Sequence, residues 1–294
     1  MQSRLILAVP KKGRLYEKSL ALLQGADIQF TRKHRLDIAL STNQNVALVF
    51  LPASDIPKFV SDGIVDLGIT GQDVVAEAGA DVDEVLELGF GACDLCVQVP
   101  EASGITDPAQ LVGKRIVTSF ETLARNCFTA LEVAAGVTPG STGATQISFV
   151  SGSVEAACAL GLADGIVDLV ESGETMRAAG LTRIHTLVSS QAVLVANKRR
   201  LHPDLAARIT ARLRGVVIAQ KYVYCSYNVQ RAKLAAATAI TPGRKAPTIA
   251  PLDNGDWCAV NVMLPKKQVA EKMDALQEIG ATDILVFGIS NCRE

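Results

Sequence analysis

DGIVDL stands at residues 62–67 and again at residues 164–169, 102 positions further on. In each copy Ile-Val-x-Leu carries the apolar run of a buried strand, and each run leads to a glycine, Gly71 or Gly173, at the same spacing. A glycine-centred polar loop followed by helix-forming residues places a helix N-terminus directly after the strand. Unpaired N–H groups and the positive end of the helix dipole favour an anion there, and glycine lets a phosphate approach the backbone. The repeat therefore predicts two similar strand-loop-helix lobes with a phosphate-rich ligand between them.

The 294-residue chain exceeds one ordinary domain. Its composition, 49% hydrophobic but only 4% aromatic and carried by Val, Leu, Ile and Ala, is that of parallel α/β sheets. A net charge of −1 without a long basic stripe disfavours nucleic acid as the partner. The N-terminal apolar run covers residues 5–9 before Pro10 and a basic cluster, too short for a signal-peptide core. No apolar stretch reaches the ~18 residues that span a bilayer, so no membrane is expected and the protein reads as soluble and cytoplasmic.

Seven cysteines, an odd number, fit a reducing compartment better than a disulfide framework. Cys93 and Cys96 form a C-x-x-C, but GACDLCVQV has the pattern of a strand, where positions three apart face opposite ways. His34, His185 and His202 are scattered, which argues against a histidine metal site or a Ser-His-Asp triad.

Strands are expected at residues 4–9, 37–40, 46–51 and 65–69, with helices at 15–23 and 54–61. They build a first lobe from residues 1–99, to which residues 190–218 return. The second lobe, 100–189, takes strands at 113–119 and 146–150, a helix at 122–135 and a further helix capped by Ser153. Residues 186–196 alternate as one strand, and 201–220 have helical periodicity.

From residue 219 the pattern changes. Strand 222–229, helix 230–239, strands 247–252 and 257–264, helix 267–279 and strand 283–289 give the order βαββαβ. That segment carries no catalytic constellation, which points to regulation or oligomer contacts. The expected fold class is α/β, a two-lobed periplasmic-binding-protein-like catalytic region followed by a C-terminal ferredoxin-like (βαββαβ) regulatory domain.

Chemistry concentrates in three places. In 163–181, ADGIVDLVESGETMRAAGL, Asp168 lies within an apolar strand and Glu171 follows it; such acids hold sugar hydroxyls or a magnesium ion. Ser172, Gly173 and Thr175 offer hydroxyl and backbone donors to a phosphate, although S-G-x-T taken alone is also what a helix cap and turn look like. Lys11, Lys12 and Arg14 surround Gly13 after the first strand, a clamp for pyrophosphate or triphosphate if it is not a solvated basic turn. In GITGQD, residues 68–73, Thr70 and Gly71 face the ligand from the opposing wall, and Asp73 caps the next helix. A second basic run holds Arg32, Lys33, His34 and Arg35, of which the first three read as solvated surface.

In order, PKKGRL (10–15), DGIVDLGITGQDV (62–74), GKRIVTS (113–119), GSVEAA (152–157), the 163–181 segment and KAPTIAPL (245–252) resemble the long form of the ATP phosphoribosyltransferase family, the first enzyme of histidine biosynthesis. The resemblance covers nearly the whole chain. It implies transfer of the phosphoribosyl group of phosphoribosyl pyrophosphate to N1 of ATP with Mg²⁺, feedback inhibition by histidine, and a homo-oligomer, a hexamer with dimers as the alternative.

Carried over by position, Ser172, Gly173 and Thr175 would hold the 5-phosphate, and Asp168 and Glu171 the ribose hydroxyls. Lys12 and Arg14 would hold the pyrophosphate or ATP phosphates, with Arg35, Thr70, Gly71 and Asp73 on the opposing lobe. Glu174 departs from the small residue many members carry, so contact there is expected through its backbone N–H. No metal ligand is assigned. A solute-binding module with two hinged lobes, or a phosphoribosyltransferase for another base, also fits these motifs.

Overall fold

An unbroken apolar run makes Leu5–Pro10 a strand, β1, inside a six-stranded sheet of the computed structural model, which describes residues 3–33, 36–199, 201–253 and 255–293. Tyr16–Gly25 (α1), Ile38–Leu40 (β2), Val46–Leu51 (β3), Ile56–Ser61 (α2), Leu67–Gly71 (β4), Gln72–Ala78 (α3) and Asp83–Glu87 (β5) follow. The chain then enters a second sheet through Cys93–Pro100 (β6), Arg115–Thr118 (β7), Glu121–Ala134 (α4), Gln146–Phe149 (β8), Ala156–Ala159 (α5), Gly165–Val170 (β9), Glu174–Ala178 (α6) and Leu181–Ser190 (β10). It returns to the first with Ala192–Ala196 (β11).

The strand orders are β2-β3-β1-β4-β11-β5 and β10-β6-β9-β7-β8. The inner strands β3, β1 and β4 run parallel, as do β8, β7 and β9, whereas β11 and β6 lie antiparallel to β4 and β9. This is the two-lobed α/β arrangement expected, with the chain passing between sheets twice, through residues 88–92 and through Gln191. A third tie comes from Glu77 of α3, whose carboxylate accepts the N–H groups of Thr122 and Leu123 at 2.8 and 2.9 Å. It supplies from the first lobe the cap that Phe120, at the start of α4, cannot.

The two hexapeptides are not structural equivalents, contrary to the expectation drawn from their spacing. In the first, Gly63 turns at φ +76°, Ile64 is exposed, and the strand begins only at Leu67. In the second, Gly165 already opens β9. Equivalence follows the carboxylates. Asp66 accepts the N–H of Ile6 at the start of β1, and Asp164 accepts that of Arg115 at the start of β7, so like positions lie 98 residues apart rather than 102. Asp164 also takes two guanidinium bonds from Arg115, which hold its carboxyl down to about 2.

Three further expectations change. Residues 186–196 do not form one strand: Gln191 separates β10, paired with β6, from β11, paired with β4 and β5. Ser153 does not cap a helix by its side chain; it sits at φ +52°, and α5 starts after Glu155. Arg32 is not solvated surface. Its guanidinium lies 4.0 Å from the Phe50 ring centroid and donates to the Leu36 carbonyl, the Tyr16 hydroxyl and Asp37.

Close contacts divide the chain into two compact units, Met1–Leu20 with Gln29–Ala206, and Ala21–Ile28 with Ala207–Glu294. The second unit contains most of Pro203–Lys221 (α7), Tyr222–Gln230 (β12), Leu234–Ile240 (α8), Thr248–Pro251 (β13), Trp257–Pro265 (β14), Val269–Glu278 (α9) and Thr282–Gly288 (β15). Its sheet runs β13-β14-β12-β15, the antiparallel order of a ferredoxin-like βαββαβ unit. Alternation along β12 turns Val223, Cys225, Tyr227 and Val229 inward against Val260, Val262, Leu264 and Leu276. The buried Tyr227 hydroxyl meets that of Thr241 at 2.7 Å. Among the described residues no helix is long and apolar enough to cross a membrane.

Candidate functional site

Two loops from different sheets line one cavity. Pro10 ends β1, Gly13 turns at φ +86°, and the chain enters α1 with Arg14 pointing back toward the second sheet. Across from it, β9 runs out into Glu171, Ser172 and Gly173, whose φ of +77° only glycine adopts without strain, and α6 begins at Glu174. The cavity, about 240 Å³, is lined by Arg14, Cys93 and residues 169–176. A neighbouring recess of about 220 Å³ shares Cys93, Val170 and Glu171 and adds Asp94, Ser189 and Ser190.

The phosphate-loop residues are partly engaged with one another. The Ser172 hydroxyl accepts the Glu174 N–H at 3.3 Å, and Arg177 donates to the Ser172 carbonyl at 3.1 Å. Glu174 and Thr175 are exposed. Arg177 lies close enough to Gly173 that a Cβ there would meet its Nη1 at 2.7 Å.

Asp168 does not line the cavity. It sits one position before it on β9, half-buried, its Oδ1 accepting the Leu169 N–H at 2.8 Å. Burial, with Glu155 adding negative charge nearby, pushes its carboxyl from 3.8 up to about 6. Among the described residues it has no cationic partner, the condition under which an incoming donor or cation is most favourable.

The opposing loop is placed differently from its sequence reading. Thr70 is fully buried and its hydroxyl donates to the Ala53 carbonyl at 3.0 Å, which leaves it no proton for a ligand. Gly71 is the buried N-terminal residue before α3. Asp73 is also completely buried, and its carboxylate meets Ser190 and Arg14 rather than the helix end. Lys12 is exposed, while Lys11 lies 3.9 Å from Asp37. Arg35 lies outside the described residues, as does His34.

Cys93, weighed from sequence only as half of a C-x-x-C, lines the cavity, Ser190 lines the neighbouring recess and Gly91 accepts a bond from Arg14; the sequence reading assigned none of them to the site. Strand alternation does separate Cys93 from Cys96: the first faces the cavity, and the second has its sulfur 3.5 Å from the Thr186 hydroxyl. Burial pushes the Cys93 thiol up, against the pull of the nearby Arg14. All seven cysteines are free thiols. Among the described residues no three His, Cys, Asp or Glu side chains gather as a metal site.

The family model described as ATP phosphoribosyltransferase matches residues 52–215, and that described as HisG, C-terminal domain, matches residues 219–291. The ATP phosphoribosyltransferase of Yarrowia lipolytica is 59% identical over 293 residues, covering 100% of this chain and 98% of that protein. The one from Saccharomyces cerevisiae is 53% identical with the same coverage. Among solved structures, a chain of the ATP phosphoribosyl transferase (HisG:HisZ) complex from Thermotoga maritima has a TM-score of 0.62 at 24% identity. The likeness spans 73% of this chain and 98% of that one and concerns the fold.

Proposed function

The chain belongs to the ATP phosphoribosyltransferase family, which performs the first step of histidine biosynthesis, and on that premise we propose that it transfers phosphoribosyl from phosphoribosyl pyrophosphate to N1 of the ATP adenine, with histidine as feedback inhibitor. The observation that carries the reading is the single cavity shared by Arg14 and the Glu171–Thr175 loop. It sets a fixed cation opposite a glycine loop rich in donors.

The reaction breaks the C1–pyrophosphate bond and forms a C1–N1 bond, placing positive charge on the ribose and negative charge on the leaving oxygen as it proceeds. No enzyme nucleophile is required; charge placement and alignment of the two substrates lower the barrier. Ser172, Gly173 and Thr175 hold the 5-phosphate, with the Glu174 backbone N–H beside them. Asp168 and Glu171 take the ribose hydroxyls, Arg14 stabilises the leaving pyrophosphate, and Lys12, exposed at the same turn, adds charge toward the phosphates.

Asp168, with no cation paired to it among the described residues, and the exposed Glu171 suit a magnesium ion carried on substrate phosphates, since that ion prefers one or two carboxylates plus phosphate oxygens. When bound it would supply charge neutralisation on the pyrophosphate. The C-terminal segment, residues 219–294, serves regulation and assembly. Exposed Tyr224, Leu285 and Phe287 on one of its sheet faces support a homo-oligomer, with a hexamer as the expected form.

Mixing ATP, phosphoribosyl pyrophosphate and Mg²⁺ with the purified protein should release pyrophosphate and form an ultraviolet-absorbing phosphoribosyl-ATP, and histidine should slow the reaction. Absence of product across magnesium concentrations and pH would remove the reading. Product formation indifferent to histidine would remove its regulatory half.

A further inference from the structure

Asp73 is a whole carboxylate with no exposed surface, a placement that is costly unless every oxygen is partnered. Its partners are specific. Oδ1 accepts the Ser190 hydroxyl at 2.7 Å, the Ser190 oxygen in turn accepts the Asp73 N–H at 3.0 Å, and Oδ2 accepts Arg14 Nη2 at 3.3 Å. Arg14 Nη1 donates to the Gly91 carbonyl.

Ser190 closes β10 and Gly91 lies between β5 and β6, so the guanidinium is tied to both segments by which the chain passes between its two sheets. The backbone keeps room for the arrangement. A Cβ on Gly71 would overlap Asp73 Oδ1, and one on Gly91, which turns at φ +67°, would overlap Leu15. A guanidinium has five N–H donors, and these two bonds leave others on a side chain that lines the cavity and keeps about a quarter of its surface exposed (26%).

We propose that Asp73 is a positioning residue: with Ser190 and Gly91 it holds the Arg14 guanidinium at the crossings between the two sheets, presenting its remaining donors to the departing pyrophosphate. The proposal rests on the phosphoribosyl-transfer reading for its last clause only. Because the leaving oxygen gains charge as the bond breaks, a loosened Arg14 weakens binding of the free pyrophosphate and of the transition state more than binding of intact substrate.

The test is a double-variant cycle on the full chain. Asp73→Asn keeps an acceptor for Ser190 and removes the charge facing Arg14. It should lower kcat about tenfold or more, while KM for phosphoribosyl pyrophosphate rises no more than about threefold. In an Arg14→Ala background the same change should alter kcat less than about twofold, because Asp73 then has nothing to position.

Should Asp73→Asn fail to fold by circular dichroism, Ser190→Ala, which retains the carboxylate, should show a smaller loss that likewise disappears with Arg14→Ala. Independent, multiplying effects of Asp73 and Arg14, or an Asp73→Asn enzyme with unchanged kcat, would overturn the proposal. Titration calorimetry with pyrophosphate alone gives a readout that needs no turnover. Affinity should fall about tenfold in Asp73→Asn and no further in the double variant than in Arg14→Ala. An inactive wild type whose pyrophosphate binding follows this pattern would reject the reaction and keep the clamp.

Discussion

Asp168→Asn should make the protein more stable and less active. An acid whose folded-state pKa, about 6, lies above its ordinary 3.8 binds its proton more tightly folded than unfolded, so folding stability falls as pH rises from 3.8 to 6. Above that window the full penalty of the buried charge is present, and the gap corresponds to about 3 kcal/mol. Asparagine keeps the acceptor for the Leu169 N–H, carries no charge to desolvate, and ends the repulsion from Glu155.

At pH 7.5 the variant should therefore gain about 2–3 kcal/mol over wild type, a shift on the order of 1 M in the urea midpoint. At pH 4, where the folded Asp168 is already protonated, the gain should shrink below about 1 kcal/mol. Phosphoribosyl transfer should drop at the same time, since the acceptor strength for ribose hydroxyls is lost. The assay is urea unfolding of both proteins at the two pH values, followed by circular dichroism. A variant less stable than wild type at pH 7.5, or a difference that does not change with pH, would refute the reasoning.

Two other perturbations probe the ties between the sheets. Glu77→Ala removes the carboxylate cap on α4 and should cost about 1–2 kcal/mol, with faster hydrogen exchange at the Thr122 and Leu123 amides; unchanged exchange there would show that the cap is dispensable. Gly71→Ala is compatible with its backbone at φ −94° but drives a methyl into Asp73 Oδ1, so it should destabilise by about 1–3 kcal/mol and lower kcat. Wild-type kinetics in that variant would mean that Asp73 can move without moving Arg14.

What was legible in the chain was whatever local chemistry decides. The apolar run of β1 and the glycine turn at Ser172–Thr175 that opens a helix are decided within a few residues, and the strands β12 and β14 alternate as a half-buried antiparallel sheet does. Distant partners decided the rest. Six identical letters serve two structural positions because Asp66 and Asp164 each find a strand start far away in sequence, not because of anything within the hexapeptide. The alternation of residues 186–196 continues smoothly through Gln191, and only the competing partners β6 and β4 divide it between sheets. Asp73 resembles a cap until Ser190, 117 positions later, is known to stand beside it.

The return of β11 to the first sheet also sets an order of assembly during synthesis. β4 leaves the ribosome about 120 residues before the strand that covers its far edge, an interval of roughly 6–24 s at typical elongation rates. Throughout that time the edge of β4 that β11 later covers carries unpaired backbone groups on alternate residues, beside a side-chain set that is buried in the finished sheet. The nascent first lobe is therefore an open template for β-pairing until the second has been made, and chaperone capture or aggregation of stalled chains should map to that window.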